Sequence, residues 1–150
     1  MSLQQQVMDA LKVAMKAKDT QSLEALRAVK SALLLAATAS GSKEEITEAE
    51  ELKILQKQVK QRKDSAAIYI DQGRQDLADP ELAQAAVIEQ FLPAQLSEEE
   101  ITKVVNAIID ETGASSMKDM GKVMGMANGR LAGKADGKTI SNVVKARLMS

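Results

Sequence analysis

The 150-residue sequence predicts an all-α, multihelical fold, and three observations carry that expectation. Apolar residues recur every three or four positions along nearly the whole chain, the spacing that lines one side of an α-helix. Ala, Leu, Gln, Glu and Lys dominate, and all are good helix formers. No run of alternating apolar and polar residues bounded by hairpin turns is present.

Each element has its own signals. Ser2 with Gln5 forms a capping pair ahead of the stripe Leu3, Val7, Leu11, Ala14 and Met15, which reaches about Lys18. Asp19 or Thr20 caps a second helix with Leu23, Leu26, Val29, Leu33 and Ala37 on one side, and Ser40-Gly41-Ser42 stops it. Thr47 with Glu50 opens the longest helix. Its seam Leu52, Leu55, Val59, Arg62, Ala66, Tyr69 and Gly73 steps by three and four like a coiled coil. Arg62 lies in that seam with its stem on apolar surface and its guanidinium reaching for water or a carboxylate. Gly73 ends the helix, because a residue without Cβ takes positive φ without strain.

Asp79 as cap and Pro80 as first helical residue start the next helix, which runs to Phe91. Pro93 turns the chain, so Leu92-Pro93-Ala94-Gln95 is the expected boundary between domains. Ser97 followed by Glu98-Glu99-Glu100 is a helix start, and Ile101, Val105, Ile108 and Ile109 follow up to the stop at Gly113. Ser116 with Asp119 opens a short helix bearing Met117, Met120, Val123, Met124 and Ala127, ended by Asn128-Gly129. Asp136 caps the last helix, with Ile140, Val143, Val144 and Leu148 inside. The expected architecture is an N-terminal long-helix hairpin body over 1–92 and a C-terminal three-helix module over 95–150.

Composition excludes several chemistries. There is no Cys and no His, hence no disulfide, no thiol nucleophile, no Cys/His zinc site and no imidazole base. Tyr69 and Phe91 are the only aromatics, so single-stranded RNA is not bound by base stacking on a sheet. No apolar run approaches the ~18 residues of a membrane span, and the polar start lacks the apolar core of a signal peptide. The expectation is a soluble, cytoplasmic protein with no membrane partner. No cofactor, metal or small-molecule substrate is expected. The carboxylate pair Glu98/Glu99 stands exposed in a first helical turn, and no serine has an adjacent base. Catalytic residues are therefore expected to be absent.

Charge is unevenly spread. Residues 1–112 balance at −6, whereas residues 113–150 balance at +5 with seven basic and two acidic side chains. A basic tail end on an acidic body suggests a polyanionic partner, against the alternative of a merely solvated helix face. A second basic set, Lys57, Lys60, Arg62, Lys63 and Arg74, is interleaved with Glu51, Asp64, Asp71 and Asp76, so intrahelical pairing is expected there.

Glycines fall at 121, 125, 129, 133 and 137. The spacing matches close-packed membrane helices, but the intervening Lys, Arg, Asn and Asp exclude that reading. Gly121 inside a helix costs about 1 kcal/mol against Ala, which suggests a crowded helix contact. Gly133 and Gly137 bracket a turn. Gly133-Lys134-Ala135-Asp136-Gly137-Lys138 lacks the full P-loop pattern and a preceding strand, so a nucleotide site is not expected. It still offers helix-start N–H groups flanked by two lysines, a perch for a nucleic-acid phosphate.

Several motifs together resemble one family. They are Leu26-Arg27-Ala28-Val29-Lys30-Ser31-Ala32, Lys60-Gln61-Arg62-Lys63-Asp64-Ser65, Tyr69, Gly73-Arg74-Gln75-Asp76-Leu77-Ala78, Phe91-Leu92-Pro93-Ala94-Gln95-Leu96-Ser97, Glu100-Ile101, Met120-Gly121-Lys122-Val123-Met124 and the Gly133–Lys138 loop. In this order they resemble the GatB/YqeY family, nearly end to end, and within it the stand-alone YqeY-like members. One departure is Asn128-Gly129-Arg130, where members often carry a Pro-Lys pair.

The resemblance implies a two-part helical protein akin to the tail of the GatB subunit of the glutamine-dependent tRNA amidotransferase. In that enzyme the tail helps hold tRNA and catalysis belongs to other parts. A label of carbon–nitrogen ligase with glutamine as amide donor would thus be inherited and not enacted by this chain. The leading expectation is a non-catalytic accessory protein that binds tRNA through phosphates. Lys122, Arg130, Lys134, Lys138, Lys145 and Arg147 would supply charge, and Gly133 and Gly137 close approach. The alternative is an adaptor for an amidotransferase or other translation-related protein, docking through the long hairpin or through Met117, Met120, Met124 and Met126, unless these methionines fill the core.

Overall fold

The structure is a computed structural model and describes residues 2–39 and 46–149. Among these there are seven α-helices: α1 (Leu3–Ala17), α2 (Thr20–Ala39), α3 (Glu48–Asp71), α4 (Gln75–Glu89), α5 (Glu98–Thr112), α6 (Met120–Arg130) and α7 (Gly137–Met149). A 3-10 turn, Met117–Asp119, precedes α6. The all-α expectation holds. The chain divides into two compact units, Met1–Leu92 and Pro93–Ser150.

In the first unit α3 and α4 form a long hairpin, and α2 packs on α1, α3 and α4. The core gathers Val7 and Leu11 of α1, Leu26, Val29 and Leu33 of α2, Leu55 and Val59 of α3, and Ala85 and Ile88 of α4. Caps set the helix limits. Ser2 Oγ accepts the Gln5 N–H at 3.2 Å, while the Gln5 side chain turns to Asp9 instead of completing a reciprocal pair. Asp19 caps α2 by accepting the Ser22 N–H at 3.1 Å and its hydroxyl at 2.7 Å, which holds the Asp19 carboxyl below its ordinary range. Thr47 and Glu50 complete the reciprocal capping box of α3. The expected stop at Ser40-Gly41-Ser42 lies outside the described residues.

The α3–α4 turn is a Schellman motif. Gly73 stands at φ +73°, its N–H bonds to the Ile70 carbonyl at 3.0 Å, and the Arg74 N–H reaches the Tyr69 carbonyl at 2.8 Å. Lys18 makes the same left-handed exit from α1 at φ +56° and, unlike glycine, carries a Cβ into it.

Two expectations are corrected in this unit. Helix α4 starts at Gln75, so Asp79 and Pro80 lie inside it. Asp79 accepts from the Gln75 side chain at 2.6 Å and caps nothing, and the tight Gly73 exit leaves α4 room to begin a turn earlier. Arg62 meets side-chain amides where a carboxylate was expected. Its Nε donates to Gln84 Oε1 at 3.1 Å and its Nη1 to Gln58 Oε1 at 2.6 Å. Gln84 in turn donates to Gln21 and Glu24, both at 2.9 Å, joining α2, α3 and α4 in one polar chain.

The second unit wraps Ile101, Val105 and Ile108 of α5, Val123 and Ala127 of α6, Leu131, and Ile140, Val143, Val144 and Leu148 of α7 around one core. Met120, Met124 and Met126 pack against that core half-buried, while Met117 stays exposed, so the methionines mainly fill space. Helix α6 runs through Asn128-Gly129 to Arg130, one residue beyond the expected stop, because Gly129 keeps helical angles.

Backbone and core make separate predictions for urea denaturation followed by circular dichroism. Gly73→Ala has open space for its methyl but forces φ positive, and is expected to cost about 1–2 kcal/mol. Lys18→Gly relieves the same strain and is expected to gain up to about 1 kcal/mol. Leu26→Ala, at a side chain only 1% exposed, is expected to cost about 2–5 kcal/mol.

Candidate nucleic-acid interface

The basic stretch belongs to a bundle that is not itself strongly basic. Residues 93–150 carry eight basic and seven acidic side chains, a net of +1. Five of those acids, Glu98, Glu99, Glu100, Asp110 and Glu111, lie on α5. The charge divide therefore runs through the bundle, with an acidic α5 against cationic α6 and α7.

That arrangement engages both arginines. Arg130, the last residue of α6, forms a two-pronged pair with Glu111 in the last turn of α5. Nη1 donates to Oε1 at 3.2 Å and Nη2 donates to Oε2. The hydrogen bond draws the Glu111 carboxyl below its ordinary range and raises the Arg130 guanidinium further. Arg147 donates from Nε to Asn106 Oδ1 of α5 at 2.7 Å. On α7, Lys138 and Lys145 are seven residues apart and share a face, whereas Arg147 lies about half a turn round from Lys138.

Lys118, Lys122, Lys134, Lys138 and Lys145 are all exposed and make no ion pair among the described residues. Lys118 belongs to this group although its motif gave no reason to choose it. Lys122 flanks a ridge of α6 made by Gly121, Gly125 and Gly129, which are four residues apart and therefore stacked on one face. A Cβ at any of the three would meet nothing within 4 Å, so the crowded contact expected at Gly121 does not exist. The ridge is bare backbone facing solvent.

The Gly133–Lys138 loop has structural duties. Gly133 is buried at φ +76°, and its carbonyl accepts the Gln95 side-chain amide at 2.6 Å. The Lys134 carbonyl accepts the Leu96 N–H at 2.9 Å. The Pro93–Leu96 segment is thus fastened to this loop, which places the starts of α5 and α7 side by side. Asp136 accepts the Thr139 N–H at 2.6 Å, so the chain's own carboxylate sits where a phosphate would meet the start of α7. Gly137 is exposed, with open space around it. What remains for a polyanion is the lysine side chains.

The second basic set is mixed in its pairing. Lys60 pairs with Asp64 at 3.2 Å along α3 and Arg74 with Asp76 at 2.9 Å, but Lys63 crosses to Glu89 of α4 at 2.6 Å. A cleft of about 260 Å³ in the first unit is lined by Ser2, Leu3, Gln6, Glu48, Glu51, Leu52 and Phe91. Among the described residues no polar or charged side chain is fully buried, no group of acids could hold a metal ion, and every resolved pKa shift favours the charged form. No helix among them is long and apolar enough to cross a membrane. The exposed lysines of α6, α7 and the loop between them present positive charge to solvent.

Comparison with known proteins places these features. A 73-residue stretch is 34% identical to a glutamyl-tRNA(Gln) amidotransferase subunit of Thermococcus gammatolerans, covering 46% of this chain and 12% of that longer protein. The family model described as Yqey-like protein matches residues 4–148. With the match spanning both helical units, the chain belongs to the family of Yqey-like proteins.

Proposed function

We propose that this chain is a non-catalytic accessory protein of tRNA amidation or a related translation step, and that its C-terminal unit binds tRNA through the sugar–phosphate backbone. The observation that carries the reading is the group of exposed lysines, without ion pairs among the described residues, on α6, α7 and the loop between them. Likeness to part of a tRNA amidotransferase subunit supports the choice of tRNA. The bare glycine ridge beside Lys122 supports close approach of a backbone, since glycine weakens a helix, at Gly125 above all, and no packing among the described residues requires it. Without stacking aromatics, recognition is of shape and phosphate spacing. Such a protein works in the cytoplasm, where tRNA is charged.

Fluorescence polarisation with labelled bulk tRNA tests this. Neutralising about four phosphates gives log K a slope of about −3 to −4 against log salt. The Lys134→Glu/Lys138→Glu double variant is expected to weaken binding by about twentyfold or more at about 0.15 M salt, taking four- to fivefold for each lost contact. No affinity, or a response flat in salt, overturns the proposal. Gly121→Ala and Gly125→Ala separate fold from function. Gly125→Ala is expected to stabilise α6 by about 1 kcal/mol and Gly121→Ala, in the first turn, by less, and both to weaken tRNA binding.

A further inference from the structure

We propose that Glu111 acts as a built-in stand-in for an RNA phosphate, masking Arg130 and holding the RNA affinity of the C-terminal unit below what its cations would otherwise give. The inference rests on the tRNA-binding reading above and adds a restraint to it. A carboxylate meets a guanidinium with the same two-pronged geometry as a phosphate does. Arg130 offers Nη1 and Nη2 to the two oxygens of Glu111, so both prongs of the fork facing that way are taken.

The pair is a poor staple. Its side chains are 41% and 52% exposed, and ion pairs of that kind add little to stability. Its electrical effect is larger, because it cancels the cation at the end of α6. Arg147 also reaches α5, where its Nε donates to Asn106. The five lysines have no carboxylate within ion-pair distance among the described residues. Masking one arginine trims long-range, sequence-independent attraction to RNA, the part of affinity that grows with every exposed cation.

The test is a double-mutant cycle with labelled bulk tRNA, read by polarisation over a salt series. Glu111→Ala is expected to tighten binding about four- to fivefold at about 0.15 M salt and to steepen the salt slope by about 0.7–0.9, one added phosphate contact. Arg130→Gln alone bares the Glu111 carboxylate and is expected to weaken binding, and the Glu111→Ala/Arg130→Gln double variant, with neither charge, to return it to the parent value. Asp110→Ala removes the same charge one residue away and is expected to change affinity less than twofold. Thermal denaturation of each variant verifies that it is folded. The inference is overturned if Glu111→Ala tightens binding no more than Asp110→Ala, or if the gain survives loss of Arg130. Absence of tRNA binding by parent and variants alike removes the tRNA reading itself, a result distinct from either.

Discussion

A unit of fewer than 60 residues has little core to spare, and that constraint shapes the C-terminal bundle. Three short helices share a core built mainly of Ile, Val, Leu and Ala, with no aromatic residue among them. Polar ties around α5 supplement it. The Leu96–Lys134 and Gln95–Gly133 bonds fasten its start, and Asn106 receives Arg147 at its middle. Helix α5 is therefore both a structural centre and the electrostatic counterweight of α6 and α7. Arg130 and Arg147 are exposed but hydrogen-bonded to α5, whereas the bundle's exposed lysines make no ion pair among the described residues.

The N-terminal unit answers a different problem with a different device. Its long α3–α4 hairpin has an arginine in the seam, and a half-buried charge is costly without hydrogen-bond partners. Gln58 and Gln84 satisfy the guanidinium, and Glu24 supplies the opposite charge one amide away. Through Gln84 this polar chain ties α2, α3 and α4 together at one level of the bundle.

Local signals were legible wherever a side chain acts on its own backbone. Ser97, Thr47 with Glu50, Gly73 and Asp136 cap or stop helices through contacts within four residues, and all four do so in the structure. Asp79-Pro80 misled because a cap-and-proline pair is equally compatible with the first turns of a helix begun earlier, and only the geometry of the Gly73 turn decides between them. Gly121 misled for a related reason. A glycine in a helix signals that something is close or that nothing is, and sequence spacing does not distinguish the two.

The sequence by itself determined the helical class, the stripes that became two cores, the lack of thiol and imidazole chemistry, and the motifs that mark the family. These depend on residue identity and on spacing within a few turns. The tertiary structure alone decided which cations are engaged. It brought Glu111 to Arg130 across 19 residues and Asn106 to Arg147 across 41, and it turned the Gly133 loop into a dock for Gln95. Charge partners are chosen by three-dimensional distance, and along this chain the decisive ones lie many helical turns apart.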